Sequence, residues 1–271
     1  GSTFPRPKRF WRPFKRAAGP TTNKTIKETT TVNDGGNMRP LEFTHFGAAG
    51  WKITDGETVI LLDPYLSRVR FQGRKYGPHD ATDIADDPRP VVKMDEVAGH
   101  DTETIDKNVP KADFIMLSHS HFNHAMDVPY IAKKTGAVVI GTESTCNIAA
   151  NGGVPDEQIH AVRGGEDFQY DELSVRVIPS LHSALSCKLY KDFGTVPVKD
   201  DPLTLDEYVE GGTLAYLLRW LSADEAQQVI DLSREVAERF FQHMPEVTLG
   251  PIELCTFETM HRFERIMYLN N

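Results

Sequence analysis

The segment that most constrains this chain is a buried-strand pattern that runs straight into histidines. Residues 112–118 read Ala-Asp-Phe-Ile-Met-Leu-Ser, and His119-Ser-His-Phe-Asn-His124 follows at once. A short apolar run of this kind suits a strand covered on both faces. His119 and His121, two apart on an extended segment, project to the same side. His124 lies beyond a bend and serves a neighbouring position. Three imidazoles so placed match what a metal site needs, because several neutral nitrogens must converge on one point.

The surrounding pattern alternates between strands and helices. Residues 41–46 alternate as a strand, Gly47 and Gly50 interrupt it, and residues 51–53 resume. Asp55-Gly56 is a hairpin turn signal, and residues 58–62 then run into Asp63-Pro64. Residues 66–110 are polar and proline-containing, a long insertion of the kind that lines active-site mouths. A helix is expected through residues 130–134 with Gly136 as its stop, then a strand at 137–141 and a short helix at 143–150. Residues 168–170 and 173–179 read as a hairpin across Asp171-Glu172, and the second of these strands delivers His182. Residues 211–218 form a further strand. Ser222-Ala-Asp-Glu225 is a capping box that opens a long amphipathic helix to about residue 244, and residues 256–269 read as a second, shorter helix.

Length and composition fit an α/β domain with appendages: 271 residues, 39% apolar and 25% charged. No apolar run approaches the roughly eighteen residues of a membrane span, and no secretory signal is expected from a basic start with no apolar stretch behind it. Cys146, Cys187 and Cys255 are widely spaced with no CxxC pair, which argues against a disulfide framework and for a reduced, cytoplasmic setting. The net charge of −9 is uneven. Residues 1–37 hold eight Lys or Arg against Glu28 and Asp34, so they carry +6 and the rest carries −15. An acidic body argues against nucleic-acid binding except through the basic, aromatic residues 4–16. The expected organisation is an extension and linker at 1–37, a main domain at 38–220 and a helical segment at 221–271.

The motif resembles the HxHxDH signature of the metallo-β-lactamase superfamily, and its flavour is similar to that of the ascorbate-phosphate lactonase-like branch. Residues 59–66, with Asp63-Pro64, resemble the strand and turn that precede the signature there. Residues 177–183 resemble the strand end that brings the next metal-binding histidine. The resemblance implies an αβ/βα sandwich with mixed sheets and metals at one sheet edge. It implies that His119, His121 and His182 form a first zinc site, and that Asn123 and His124 belong to a second. Asp63 would be a carboxylate behind a ligand histidine, and Asp127 stands with Asn123 among the expected catalytic groups. The implied chemistry is hydrolysis by metal-activated water, on a small ester, lactone or phosphoester. Zinc is the expected metal, with manganese and iron also suited to histidine ligands. No GxSxG, GxxxxGK[ST] or GxGxxG motif competes.

Two departures from the family pattern stand out. Position 123 is Asn where the signature has Asp. After residue 218 the chain enters a helix where the family places further ligands, so the carboxy-terminal half of the fold is expected to be incomplete. His243 and His261 read as ordinary helical residues. The alternative function is therefore a catalytically impaired member acting as a binding or assembly module, with the long helix as an interface and the basic extension as a second contact; a homo-oligomer is among the partners considered.

Overall fold

The structure is a computed structural model, and it describes residues 26–30, 40–72, 91–182 and 194–242. Strands β1 (Ile26–Thr30), β2 (Leu41–Gly47), β3 (Gly50–Thr54) and β4 (Val59–Leu62) form an antiparallel series. The β3–β4 turn is as expected from Asp55-Gly56: the Asp55 carboxylate accepts from the Glu57 and Thr58 amides at 3.0 and 2.8 Å, and Gly56 takes φ 96°. From β4 the sheet changes sense. β7 (Phe114–Met116), β8 (Val138–Gly141) and β9 (Ile159–Ala161) follow in parallel, giving a seven-stranded mixed sheet of order β1-β2-β3-β4-β7-β8-β9. Helices α3 (Val128–Thr135) and α4 (Glu143–Asn151) are the crossovers that parallel strands require. Gly136 ends α3 in the left-handed conformation, φ 76°, as its position predicts.

The second sheet is antiparallel: β10 (Asp167–Tyr170), β11 (Leu173–Ser180) and β12 (Thr213–Trp220). It packs on one face of the large sheet while the helices cover the other. The strand residues alternate between these two cores, which is why their sequence is continuously apolar. Ile60, Phe114, Met116 and Ile140 meet Phe168, Leu173, Val175 and Leu214 of the second sheet. Leu61, Ile115, Leu117 and Val139 meet Val128, Ile131, Ile148 and Ala149 of the helices. Each fully buried Ile or Leu contributes about 1.5–3 kcal/mol, so a one-residue slip in register would be prohibitive.

Tyr216 ties the two sheets together: its hydroxyl donates to the carbonyls of Leu117 at 2.8 Å and Ile140 at 3.2 Å. Burial pushes this phenol well above its usual range. Tyr216→Phe keeps the ring and removes both bonds. It is expected to cost about 1–2 kcal/mol and to lower Tm by about 2–8 °C, read by thermal melting. An unchanged Tm would mean that these carbonyls do not depend on the tyrosine hydroxyl, the Ile140 carbonyl also accepting from the Leu117 amide at 3.1 Å.

Two segments differ from the sequence reading. The 1–37 stretch, read as an extension and linker with no steady apolar period, contains β1, which pairs with β2 in the register Ile26↔His45 to Thr30↔Leu41. Thr-rich polar strands at a sheet edge carry no apolar period to detect. The 66–110 insertion is also less irregular than expected. It holds β5 (Arg70–Gln72) and β6 (Val91–Lys93), a short parallel pair, and helix α1 (Thr102–Asn108) capped by Asp101. The capping box at Ser222 forms as read, with Ser222 Oγ and amide bonded to the Glu225 carboxylate, and α5 (Ala223–Gln242) follows. No helix among the described residues is long and apolar enough to cross a membrane. Burial pushes the Cys146 thiol up to about 12, the behaviour of a small core residue. The expected helix at 256–269, His243, His261, Cys187, Cys255 and the basic residues 4–16 lie outside the described residues.

Candidate metal centre

The carboxyl ends of parallel strands β4, β7 and β8 open on one edge of the large sheet, and the histidines gather there. Such edges are natural sites because strand ends can present several side chains toward one crevice. His119 follows β7 by three residues, and His182 follows β11 by two. His121 precedes the single-turn helix α2 (Phe122–Ala125), which carries Asn123 and His124. One ring nitrogen from each of His119, His121 and His182 falls within 4.8 Å of the others. Their ring centroids are 4.6–5.0 Å apart at near right angles. The His124 ring lies 3.9 Å from that of His119.

The hydrogen bonds define which nitrogen of His119 is available. Ser118 Oγ donates to the Asp63 carboxylate at 2.7 Å, so its lone pair is left to accept from His119 Nδ1 at 3.1 Å. Nε2 then carries the ring's lone pair. That atom is buried and has no hydrogen-bond partner. Burial above all, then the neighbouring rings of His124, His121 and His182, pushes His119 down to about 2, so the ring is neutral at pH 7. A buried orphan acceptor costs about 1–3 kcal/mol, and a bound cation is one way to satisfy it. The donor set, three imidazoles brought together with one buried, unpartnered nitrogen, fits a borderline metal ion such as zinc.

Asp63 stands directly behind these rings. It is buried and adopts φ 45°, a conformation that Asp tolerates better than most residues. The Ser118 amide donates to one of its oxygens at 2.8 Å, while Ser118 Oγ and His124 Nδ1 share the other, His124 at 3.1 Å. Asp63 therefore contacts His124 directly and His119 through Ser118. Asn123 is half-buried between His121 and His124. Asp127, expected beside Asn123 among the reacting groups, is placed differently. It is fully buried, and its two oxygens are taken by Leu66 N, Ser67 N, Ser67 Oγ and His100 Nδ1 at 2.7, 2.8, 2.5 and 3.2 Å.

Sequence reasoning missed Ser120, the residue between the two leading histidines. Its amide donates to the Glu210 carbonyl at 3.0 Å, and its hydroxyl reaches the carbonyls of Val209 and Glu210 at 2.6 and 2.9 Å. The Leu214 amide donates to the Ser118 carbonyl at 2.7 Å. The histidine loop is thus held from one side by β4 through Asp63 and from the other by the entry to β12. The approach is so close that a Cβ on Gly211 (φ 67°) would sit 2.3 Å from Ser144 Cβ and 2.4 Å from Ser120 Oγ. The Gly211-Gly212 pair was the available signal, since paired glycines entering a strand mark a close backbone approach. His100 was also missed, because a lone histidine in a polar loop carries no pattern.

Residues 42–196 match the family profile described as a beta-lactamase superfamily domain. A metal-dependent hydrolase of the UPF0173 group from Flavobacterium johnsoniae is 34% identical over 144 residues, covering 53% of this chain and 49% of the relative. One from Anaeromyxobacter dehalogenans is 27% identical over 179 residues, covering 65% and 54%. The chain spans about half the length of the curated relatives it matches. Among solved structures, a metallo hydrolase from Ignicoccus hospitalis aligns over 66% of this chain and 56% of its own, at 16% identity and a TM-score of 0.39.

Proposed function

The chain belongs to the beta-lactamase superfamily, and on that premise we propose that it is a metal-dependent hydrolase of a small ester, lactone or phosphoester. The observation that carries this reading is the convergence of His119, His121 and His182, with the buried Nε2 of His119 left without a partner. In this reading these three residues hold a first metal, zinc being the best match to the donors. His124 and Asn123 belong to a second, weaker position. A bound divalent metal supplies Lewis acidity and an activated water.

The residues of the chain supply orientation. Asp63 aligns the ring of His124, and through Ser118 it holds His119 in the tautomer that presents Nε2. Ser120, gripped by Val209 and Glu210, keeps His119 and His121 on one loop at a set spacing. No side-chain nucleophile is required. Asn123, with a neutral amide, can donate or accept a hydrogen bond but cannot take up a proton from an attacking water.

The test is metal content and turnover of the full chain, reconstituted with zinc, manganese or iron and assayed on a panel of lactones, carboxylic esters and phosphodiesters. The expected result is at least one tightly held zinc per chain with slow hydrolysis of one substrate class. Neither metal nor turnover would favour a second reading, a binding or assembly protein. One observation supports that alternative: α5 presents Val229 and Leu232 to solvent, 39% and 62% exposed.

A further inference from the structure

Asp127 occupies a place that the hydrolase reading leaves unexplained. Its carboxylate is wholly buried and receives four donors from two distant segments. One is the 63–67 turn, through the Leu66 and Ser67 amides and Ser67 Oγ. The other is the loop before α1, through His100 Nδ1, and the Asp101 amide donates in turn to Ser67 Oγ at 2.8 Å. Asp127 itself follows His124 by three residues, just as Leu66 follows Asp63 by three.

Two parallel contacts therefore join the same pair of segments. His124 Nδ1 donates to Asp63 at 3.1 Å, and three residues further along both chains Leu66 and Ser67 donate to Asp127 at 2.5–2.8 Å. The roles alternate, since the carboxylate comes from the 63–67 turn in one contact and from the histidine segment in the other. The Asp63–His124 contact alone is a single longer bond between side chains, and Asp63 sits at a strained φ of 45°. The Asp127 contacts are shorter, more numerous and fully buried, and bonds to carboxylates of this kind are the strong ones. They are made in the same arrangement in which Asp63 reaches both Ser118 and His124.

We infer that Asp127 is a positioning residue for the metal centre: by clamping the 63–67 turn against the His124 segment, it sets the geometry in which Asp63 orients His124 and His119. This rests on the metal-site reading above. His100 completes the clamp by donating from Nδ1 to Asp127 at 3.2 Å, from a side chain 31% exposed.

The test uses the full chain and cobalt(II) as probe, since its visible d–d absorption reports coordination geometry independently of turnover. Asp127→Asn keeps the shape but turns an acceptor into a donor facing donors. It is expected to weaken cobalt and zinc affinity about 10- to 100-fold and to shift the cobalt spectrum, with the far-ultraviolet circular dichroism unchanged. His119→Ala is measured beside it. If His119→Ala binds cobalt as the unaltered chain does, the metal-site reading itself fails. If His119→Ala loses the metal while Asp127→Asn keeps both affinity and spectrum, the clamp proposal fails. Should Asp127→Asn not fold, Ser67→Ala decides. Removing that one donor is expected to weaken cobalt binding several-fold and alter its spectrum, and an unchanged spectrum would overturn the proposal.

Discussion

His119→Ala is expected to reduce metal affinity by at least 100-fold and to abolish hydrolysis. His119 is the centre of the cluster: its ring lies 3.9–4.9 Å from those of His124, His182 and His121. It is also the residue whose unpartnered Nε2 is buried and whose basicity burial suppresses to about 2. In the proposed site, removing it leaves two protein ligands where zinc sites use three or four. Losing a residue behind a ligand costs 10- to 100-fold in affinity, so loss of a ligand exceeds that range, and 100-fold corresponds to about 2.7 kcal/mol. The effect reads out without an activity assay. A ligand present at one hundred times its Kd stabilises the folded state by about 2.7 kcal/mol, so excess zinc should raise the Tm of the unaltered chain and leave that of His119→Ala where it was. Equal zinc-dependent shifts in the two proteins would remove the basis of the proposed centre.

The second large effect is expected from Asn123→Asp. Asn123 lies on the single-turn helix α2, one residue before His124 in the sequence, and the signature that the motif resembles carries a carboxylate there. An amide of nearly the same shape brings no negative charge, so it does not offset the charge of a second cation placed near the first. It also cannot accept a proton. Restoring the carboxylate is expected to raise second-metal affinity and to raise turnover by about 10- to 1,000-fold, equivalent to about 1.4–4 kcal/mol of barrier. Metal titration followed by steady-state kinetics on both proteins measures the two quantities separately. If stoichiometry and rate both stay where they were, the missing carboxylate is not what limits the site, and the binding-protein reading takes the lead.

The histidine motif was legible because its chemistry is written in side chains at short spacing. His119 and His121 could be placed together from their spacing, and the family resemblance joined His182 to them; the structure brings one ring nitrogen of each within 4.8 Å of the others. Asp63 was legible only as an acidic residue before proline, a pattern shared by any turn. Its contact with His124 depends on a pairing 61 residues away in sequence. Asp127 was read as a reacting group because it follows the motif closely, yet proximity in sequence does not say which way a carboxylate turns.

What the sequence by itself determined is the architecture around the site. Continuous apolar runs at β4, β7 and β8 require burial on both faces, and the glycine, proline and capping residues place the turns and helix ends where they are found. What only the tertiary structure decided is how the site is held. Ser120 is gripped by the carbonyls of Val209 and Glu210, and Asp127 by the amides of Leu66 and Ser67. Backbone carbonyls and amides are the same in every residue, so partners of this kind leave no mark in the sequence and are chosen only when packing brings distant segments together.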